Sequence, residues 1–182
     1  MRRWLFAAML ALASLSLAAR AEAAGAAPRD SAVKAAYLYK FGSFVDWPAG
    51  TFKGPQDPLV IAVLGDEAVA EDLEQLAAGR SVAGRPLKLR TLKDGELPGP
   101  VHLMFIGTTR PARLRDLIAA IPGPVLVVTQ QEGALQAGSV INFVADGAHV
   151  RFNASLASAE ARGLRLSARL LAVAQNVEGR PR

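Results

Sequence analysis

The sequence predicts an α/β fold: a single-domain mixed sheet with helices on both faces, closing in a C-terminal β-hairpin followed by a broken helix. Three observations carry this expectation. The runs "LVIAVLG", "VHLMFIG" and "PVLVVTQ" are short and continuously apolar, as strands covered on both faces must be. Stretches with helical spacing of apolar residues alternate with them, the order that builds a parallel sheet wrapped by helices. Finally, "INFVADGAHVRFN" alternates on either side of Asp146-Gly147, which marks a two-residue hairpin turn.

Taken in order, residues 1–23 read as a secretory signal peptide. Met1-Arg2-Arg3 is a basic start, Trp4 to Ala19 an apolar run, and Ala21-Glu22-Ala23 an A-x-A cleavage site, the pattern of an exported precursor. The run is too short and Ala-rich for a bilayer span. Residues 24–30 form a leader, 31–178 the domain, and 179–182 a tail. Cleavage after Ala23 removes Arg2, Arg3, Arg20 and Glu22, so the formal net charge falls from +5 to +3. Export with so modest a charge argues against a nucleic-acid partner. The chain has no cysteine, which excludes disulfides, thiol nucleophiles and thiolate metal sites. A mature domain of roughly 160 residues must then be held by its hydrophobic core alone.

"SAVKAAYLYKFGSFVDWP" (31–48) places Val33, Tyr37, Leu38, Phe41, Phe44 and Val45 at helical spacings, with Ser31 as N-cap and Pro48 barring Trp47 from the helix. Leu59 to Gly65 reads as a buried strand, and Asp66 to Arg80 as a helix opened by acidic residues. Pro86 to Leu92 alternates like a half-exposed strand, and Val101 to Gly107 is a second buried one. Arg110 to Ile121 is a helix with Pro111 in its first turn, where proline is tolerated; Pro124 to Gln130 is a third buried strand. Centring a type I′ turn on Asp146-Gly147 sets Phe143 opposite Val150 and Ile141 opposite Phe152. Ile141, Phe143, Val150 and Phe152 then share the core face, and Asn142, His149 and Arg151 the wet one. The tail breaks at Gly163, and Ser167 caps a second helical piece carrying Leu170, Leu171 and Val173.

Catalytic machinery is not evident. Of the two histidines, His102 lies in an apolar strand and reads as a buried core residue, and His149 sits on the wet face of the hairpin. There is no HExxH, no GxSxG and no histidine pair at ligand spacing, so no catalytic residue, metal ligand or cofactor is assigned. Asp66 and the Thr108-Thr109-Arg110 run fall where strands end and helices begin, the usual crevice of open α/β sheets. Asp66 is explained by capping and the helix dipole. Thr108 and Arg110 could also meet an anion at a helix N-terminus, so Asp66, Thr108 and Arg110 are the ligand set of an alternative reading, a periplasmic small-molecule binding protein. Tyr37, Tyr39, Phe41, Phe44 and Trp47 exceed one helix's buried stripe, which leaves Tyr39 or Trp47 as a contact anchor.

Together, "VKAAYLYKFGSFVDWP", "PLVIAVLGDE", "GRPLKLR", "HLMFIG", "INFV" and "VRFNASLASAEARGLRLSARLL" resemble, in order from about Val33 to Val173, the YfiR family of exported bacterial proteins. The resemblance implies a non-catalytic periplasmic repressor that binds the periplasmic domain of an inner-membrane diguanylate cyclase, and so controls cyclic-di-GMP and biofilm formation. It also implies an outer-membrane lipoprotein able to sequester the repressor. Related domains serve other sensors, so a membrane histidine kinase is an alternative receptor, and a homodimer is compatible with the family. Relatives of that kind can carry disulfide cysteines, and any redox control through such bonds does not carry over to a chain without cysteine. The expected docking residues are Tyr39 and Trp47 with the apolar residues of the hairpin and tail, Phe143, Phe152, Leu164, Leu166 and Leu170, a patch in excess of what a core needs.

Overall fold

The computed structural model describes residues 29–96 and 98–179. The expected signal peptide, most of the expected leader, Leu97 and the last three residues lie outside them. The strands are β1 (Val45–Asp46), β2 (Leu59–Leu64), β3 (Ser81–Val82), β4 (Arg85–Leu92), β5 (Leu103–Ile106), β6 (Leu126–Thr129), β7 (Ile141–Asp146), β8 (His149–Ser155), β9 (Arg165–Leu166) and β10 (Asn176–Glu178). The helices are α1 (Asp30–Phe41), α2 (Glu67–Ala77), α3 (Pro111–Ala120), α4 (Leu156–Ala161) and α5 (Ala168–Val173).

Eight strands form one mixed sheet in the order β10-β8-β7-β6-β5-β2-β4-β3, while β1 and β9 pair in a separate antiparallel ribbon. The run from β4 through β2, β5 and β6 to β7 is parallel, and β3/β4 and β7/β8 are antiparallel. From β2 the chain crosses by α2 to β4 on one side; from β5 it crosses by α3 to β6 on the other. Right-handed crossovers running in opposite directions across a sheet put their helices on opposite faces.

The burial pattern agrees, strand by strand. Ile61, Val63, Leu103, Phe105, Leu126 and Val128 pack with α1 and α2, whereas their sequence neighbours Ala62, Leu64, Met104, Ile106 and Val127 pack with Leu114 and Ile118 of α3. The continuous apolar runs are therefore two interleaved period-two sets, one for each face.

α1 begins at Asp30 with Arg29 as an N-cap whose side chain makes no capping bond, not at Ser31, and it ends at Phe41. Ser43 and Phe44 N–H close tight turns onto the carbonyls of Lys40 and Phe41, so Phe44 to Trp47 leave the helix and build β1. The break at Gly163 and the Ser167 cap are both present; Ser167 Oγ accepts from Leu170 N–H at 3.3 Å. β10 takes Asn176 to Glu178 out of the expected helical tail and lays them parallel to β8, with Gln175 N–H donating to the Phe152 carbonyl at 2.8 Å.

The hairpin register differs from the expected one. Phe143 pairs with Phe152 and Asp146 with His149, so the turn is Gly147-Ala148. Gly147 alone takes a positive φ, 59°, which suits glycine at the first central position of a type II′ turn. Asp146 stays extended as the last rung. The shift is by two residues, so each side chain keeps its face, and Ile141, Phe143, Val150 and Phe152 are all buried. Asn142 departs from the expected wet face: it is buried, its Oδ1 accepting from Thr129 Oγ1 at 2.7 Å and from Gln131 N–H at 3.1 Å.

Arg162, just past α4, anchors the far face. Its Nη2 donates to the Ile118 carbonyl at 2.9 Å and its Nη1 to that of Ile121 at 3.2 Å, so a cation sits on the orphan carbonyls and the negative end of α3. Arg162→Ala should lower stability by about 1–2 kcal/mol, since charge-assisted bonds are lost, and Arg162→Lys should recover only part because one ammonium does not reproduce the fork. Urea unfolding monitored by circular dichroism checks this.

Candidate functional site

Pro48 turns the chain out of β1 into a loop, residues 47–58, that folds back over the start of β2 and β5. Its aromatic side chains meet there. The Phe52 ring stacks on the His102 imidazole, with centroids 4.4 Å apart and planes 16° apart. Trp47 stands edge-on to both, 5.9 Å from Phe52 and 6.5 Å from His102. The Arg85 guanidinium carbon lies 3.9 Å from the Phe52 centroid, a cation–π contact. Since the imidazole already covers one face of that ring, the guanidinium must occupy the other. Arg85 Nη1 also donates to the carbonyls of Gly54 and Asp57 at 2.6 and 3.2 Å, tying the loop to β4.

His102 precedes β5 rather than lying within it, and it is half-buried. Its Nδ1 accepts a hydrogen bond from Val60 N–H at 3.0 Å. Burial pushes the imidazole below its ordinary value of 6.5; a bond to the Thr51 backbone opposes the shift, Arg85 adds to it and Asp57 opposes it.

Beside this stack a cavity of about 320 Å³ opens between Val45, Asp46, Trp47, Phe52, Val82 and Arg85. Trp47 Nε1 is buried and has no hydrogen-bond partner, an unsatisfied donor of the kind that costs about 1–3 kcal/mol to bury. Tyr39 reaches the same end of the molecule, its hydroxyl donating to the Ser81 carbonyl at 2.8 Å beside Val82. Leu166 pairs with Val45 across the β1/β9 ribbon. Tyr39, Trp47 and Leu166 are thus partly buried, each packed against the core on the α1 side of the sheet.

The other expected docking residues do not reach a surface. Phe143 and Phe152 are 3% and 0% exposed, and Leu164 and Leu170 are 1% and 3% exposed. α1 covers the hairpin: Tyr37 lies 5.8 Å from Phe143 and 5.5 Å from Phe152, and Phe41 lies 5.9 and 5.2 Å from the same two rings. Leu164 and Leu170 join the same core. On the tail the exposed large apolar residue is Val173, at 56%.

At the C-terminal ends of β2 and β5 a crevice of about 450 Å³ is bordered by Gly65, Asp66, Lys93, Asp94, Thr108 and Thr109. Asp66 and Thr108 meet there, but Arg110 stays outside it as the exposed N-cap of α3. Asp66 is already committed: Oδ1 accepts from Val69 N–H and Oδ2 from Gln130 Nε2, both at 3.1 Å. Its role is to cap α2 and hold the loop after β6. Among the described residues, no cluster of three or more His, Cys, Asp or Glu side chains could hold a metal ion, and no helix is long and apolar enough to cross a membrane.

The sequence reading missed Phe52, Arg85 and His102 as a unit. They come from a loop, a strand and a strand entry far apart in the chain, and no periodicity links them.

An open sheet wound on both faces, with an antiparallel hairpin toward one edge and a half-buried aromatic cleft at the N-terminal ends of its strands, defines a doubly wound α/β domain. A crystal structure of a conserved domain protein from Vibrio cholerae O1 biovar El Tor strain N16961 shares this fold, with a TM-score of 0.56 at 12% identity over 82% of this chain. The match takes in 60% of that Vibrio chain. The protein belongs to the YfiR/HmsC-like family, whose pattern matches residues 31–175. No curated protein matches the chain.

Proposed function

We propose that this chain is a periplasmic, non-catalytic regulator, exported by its signal peptide, that binds and represses the periplasmic domain of an inner-membrane diguanylate cyclase. Membership of the YfiR/HmsC-like family over residues 31–175 carries the reading. The cleft supports it, because Trp47 and Phe52, half-buried aromatics, line it, and Trp and other aromatics are the residue types that dominate protein interfaces. Repression is then a shift of population: the regulator binds the inactive form of the cyclase more tightly than the active one. An outer-membrane lipoprotein that competes for the regulator would relieve it, and a homodimer is the form in which it could meet a dimeric receptor.

Deletion of the gene should raise cellular cyclic-di-GMP. Restoring the wild-type chain should lower it again, Asp66→Ala should do so too, and Trp47→Ser at equal protein level should not. An unchanged cyclic-di-GMP level in the deletion strain contradicts the cyclase reading and leaves a membrane histidine kinase as the receptor to test.

A further inference from the structure

We propose that His102 is a proton-operated latch. Neutral, it holds the loop of residues 47–58, and with it Phe52 and Trp47, against the sheet; protonated, it lets them go. The latch stands on geometry within the chain. That it governs partner binding rests on the docking reading above.

One imidazole nitrogen is committed to the backbone of β2. Nδ1 accepts from Val60 N–H at 3.0 Å, so it carries no proton, and the proton of the neutral ring is on Nε2. A second proton has to go on Nδ1, where it would face the Val60 N–H donor to donor. The backbone of His102 cannot swing away to relieve this. Its N–H donates to the Val60 carbonyl and its carbonyl accepts from Leu126 N–H, both at 2.9 Å, which clamps it between β2 and β6. The strain must be released on the loop side, where Phe52 stacks on the ring and Trp47 stands edge-on to it.

Charge adds to the effect. Arg85 from β4 covers the face of Phe52 opposite His102, so protonation places cations on both faces of one phenyl ring. Asp57, in the same loop, is the acidic group that faces the imidazole, and its Oδ2 already accepts from the N–H groups of Lys53 and Gly54. On the remaining side, Gly99 to Val101 and Pro122 to Val125 bring no titratable side chain, and Arg90 is bound to the Pro98 carbonyl. Asp57 favours the charged ring, but burial together with Arg85 outweighs it.

The direction follows from the lowered native value. Above 6.5 the imidazole is neutral whether the loop is closed or open, and the latch is fully made. Below 6.5 the open form takes up a proton before the closed form does, so closure weakens and goes on weakening until the native imidazole itself titrates.

The test uses the full chain carrying Trp4→Phe, which leaves Trp47 as the sole tryptophan. As pH is lowered from about 7.5 to 5, within the range where histidine charge changes, Trp47 emission should shift to the red and acrylamide quenching should rise, with a midpoint below 6.5. In His102→Asn the amide oxygen still accepts from Val60 N–H but takes up no proton, so the transition should disappear. His149→Asn, which alters the other histidine, should leave it intact. Nuclear magnetic resonance of the two histidine rings in the otherwise unaltered chain gives a second measure that does not depend on a variant folding: the His102 midpoint should coincide with that of Trp47 quenching. The latch is overturned if Trp47 does not respond over this range, if the response survives His102→Asn, if His149→Asn removes it, or if the two midpoints differ. No partner enters these measurements, so their failure is distinct from failure of the cyclic-di-GMP assay at neutral pH.

Discussion

Phe152→Ala is expected to lower the unfolding free energy by about 3–5 kcal/mol, the range for deleting a fully buried phenyl ring that its neighbours cannot close over. Phe152 has no exposed surface. Its ring meets Phe41 at 5.2 Å and Tyr37 at 5.5 Å, both edge-on, and Phe143 is its direct cross-strand partner. Edge-on aromatic pairs add about 0.5–1.5 kcal/mol beyond area burial, and both would be lost. The surroundings relax poorly, because β8 is held by β7 on one side and β10 on the other and α1 is tied to α2 by the Arg29–Asp72 ion pair at 2.6 Å. Arg151→Ala, one residue away on the exposed face, should change stability by less than about 0.5 kcal/mol. Urea unfolding of the two variants in parallel checks the contrast. A loss under about 1 kcal/mol for Phe152→Ala would mean that α1 does not sit on the hairpin as described.

The same contact explains where the sequence was legible and where it misled. The buried strands stand out because a strand covered on both faces has to be apolar at every position, and their order with the intervening helices specifies the winding. The faces of the hairpin were legible for the related reason that side chains alternate. Its register was not. Asp146-Gly147 suits a type I′ turn, yet Asp146 remains in the ladder opposite His149 and Gly147-Ala148 make the turn, with Gly147 alone at positive φ; the two turn types differ by a two-residue shift that alternation does not report. The docking residues misled for a deeper reason. The aromatics of α1 exceed one helix's stripe and the hairpin carries two phenylalanines at its edge, so each segment alone has apolar surface to spare. In the fold Tyr37 and Phe41 lie on Phe143 and Phe152, and the two surpluses cancel. Trp47 is left over because the helix ends at Phe41, six residues short of it. The cleft was not legible at all, since Phe52, Arg85 and His102 converge only through the sheet order.

Gly107→Ala is expected to cost about 3 kcal/mol, at the upper end for overpacking, although the substitution adds a single methyl group. The reason is steric and not conformational, since the backbone φ of Gly107 is not in the left-handed region. A Cβ there would lie 2.7 Å from the Gly65 carbonyl oxygen, 2.9 Å from its carbon and 2.7 Å from Asp66 Cβ. These are mainly backbone atoms, which cannot rotate out of the way. The strand ends cannot part cheaply either, because Gly107 N–H donates to the Leu64 carbonyl at 2.8 Å and Thr108 N–H to that of Gly65 at 3.3 Å. The contact is reciprocal: Gly65 has a φ of +75°, and a Cβ on it would come within 2.8 Å of the Thr108 carbonyl oxygen. Thermal unfolding should show Gly107→Ala melting about 6–12 °C lower, given about 2–4 °C per kcal/mol for a domain of this size, while Asp66→Ala, which loses a cap, should cost only about 1 kcal/mol. The pair of results bears on function as well as stability. Open α/β sheets bind ligands where neighbouring strand ends diverge; here the floor of the crevice, where β2 and β5 end, is backbone packed on backbone, and the Asp66 carboxylate beside it is spent on a cap and a glutamine. A large loss from Gly107→Ala and a small one from Asp66→Ala would identify that junction as a rigid backbone contact of the sheet in which Asp66 serves as a helix cap.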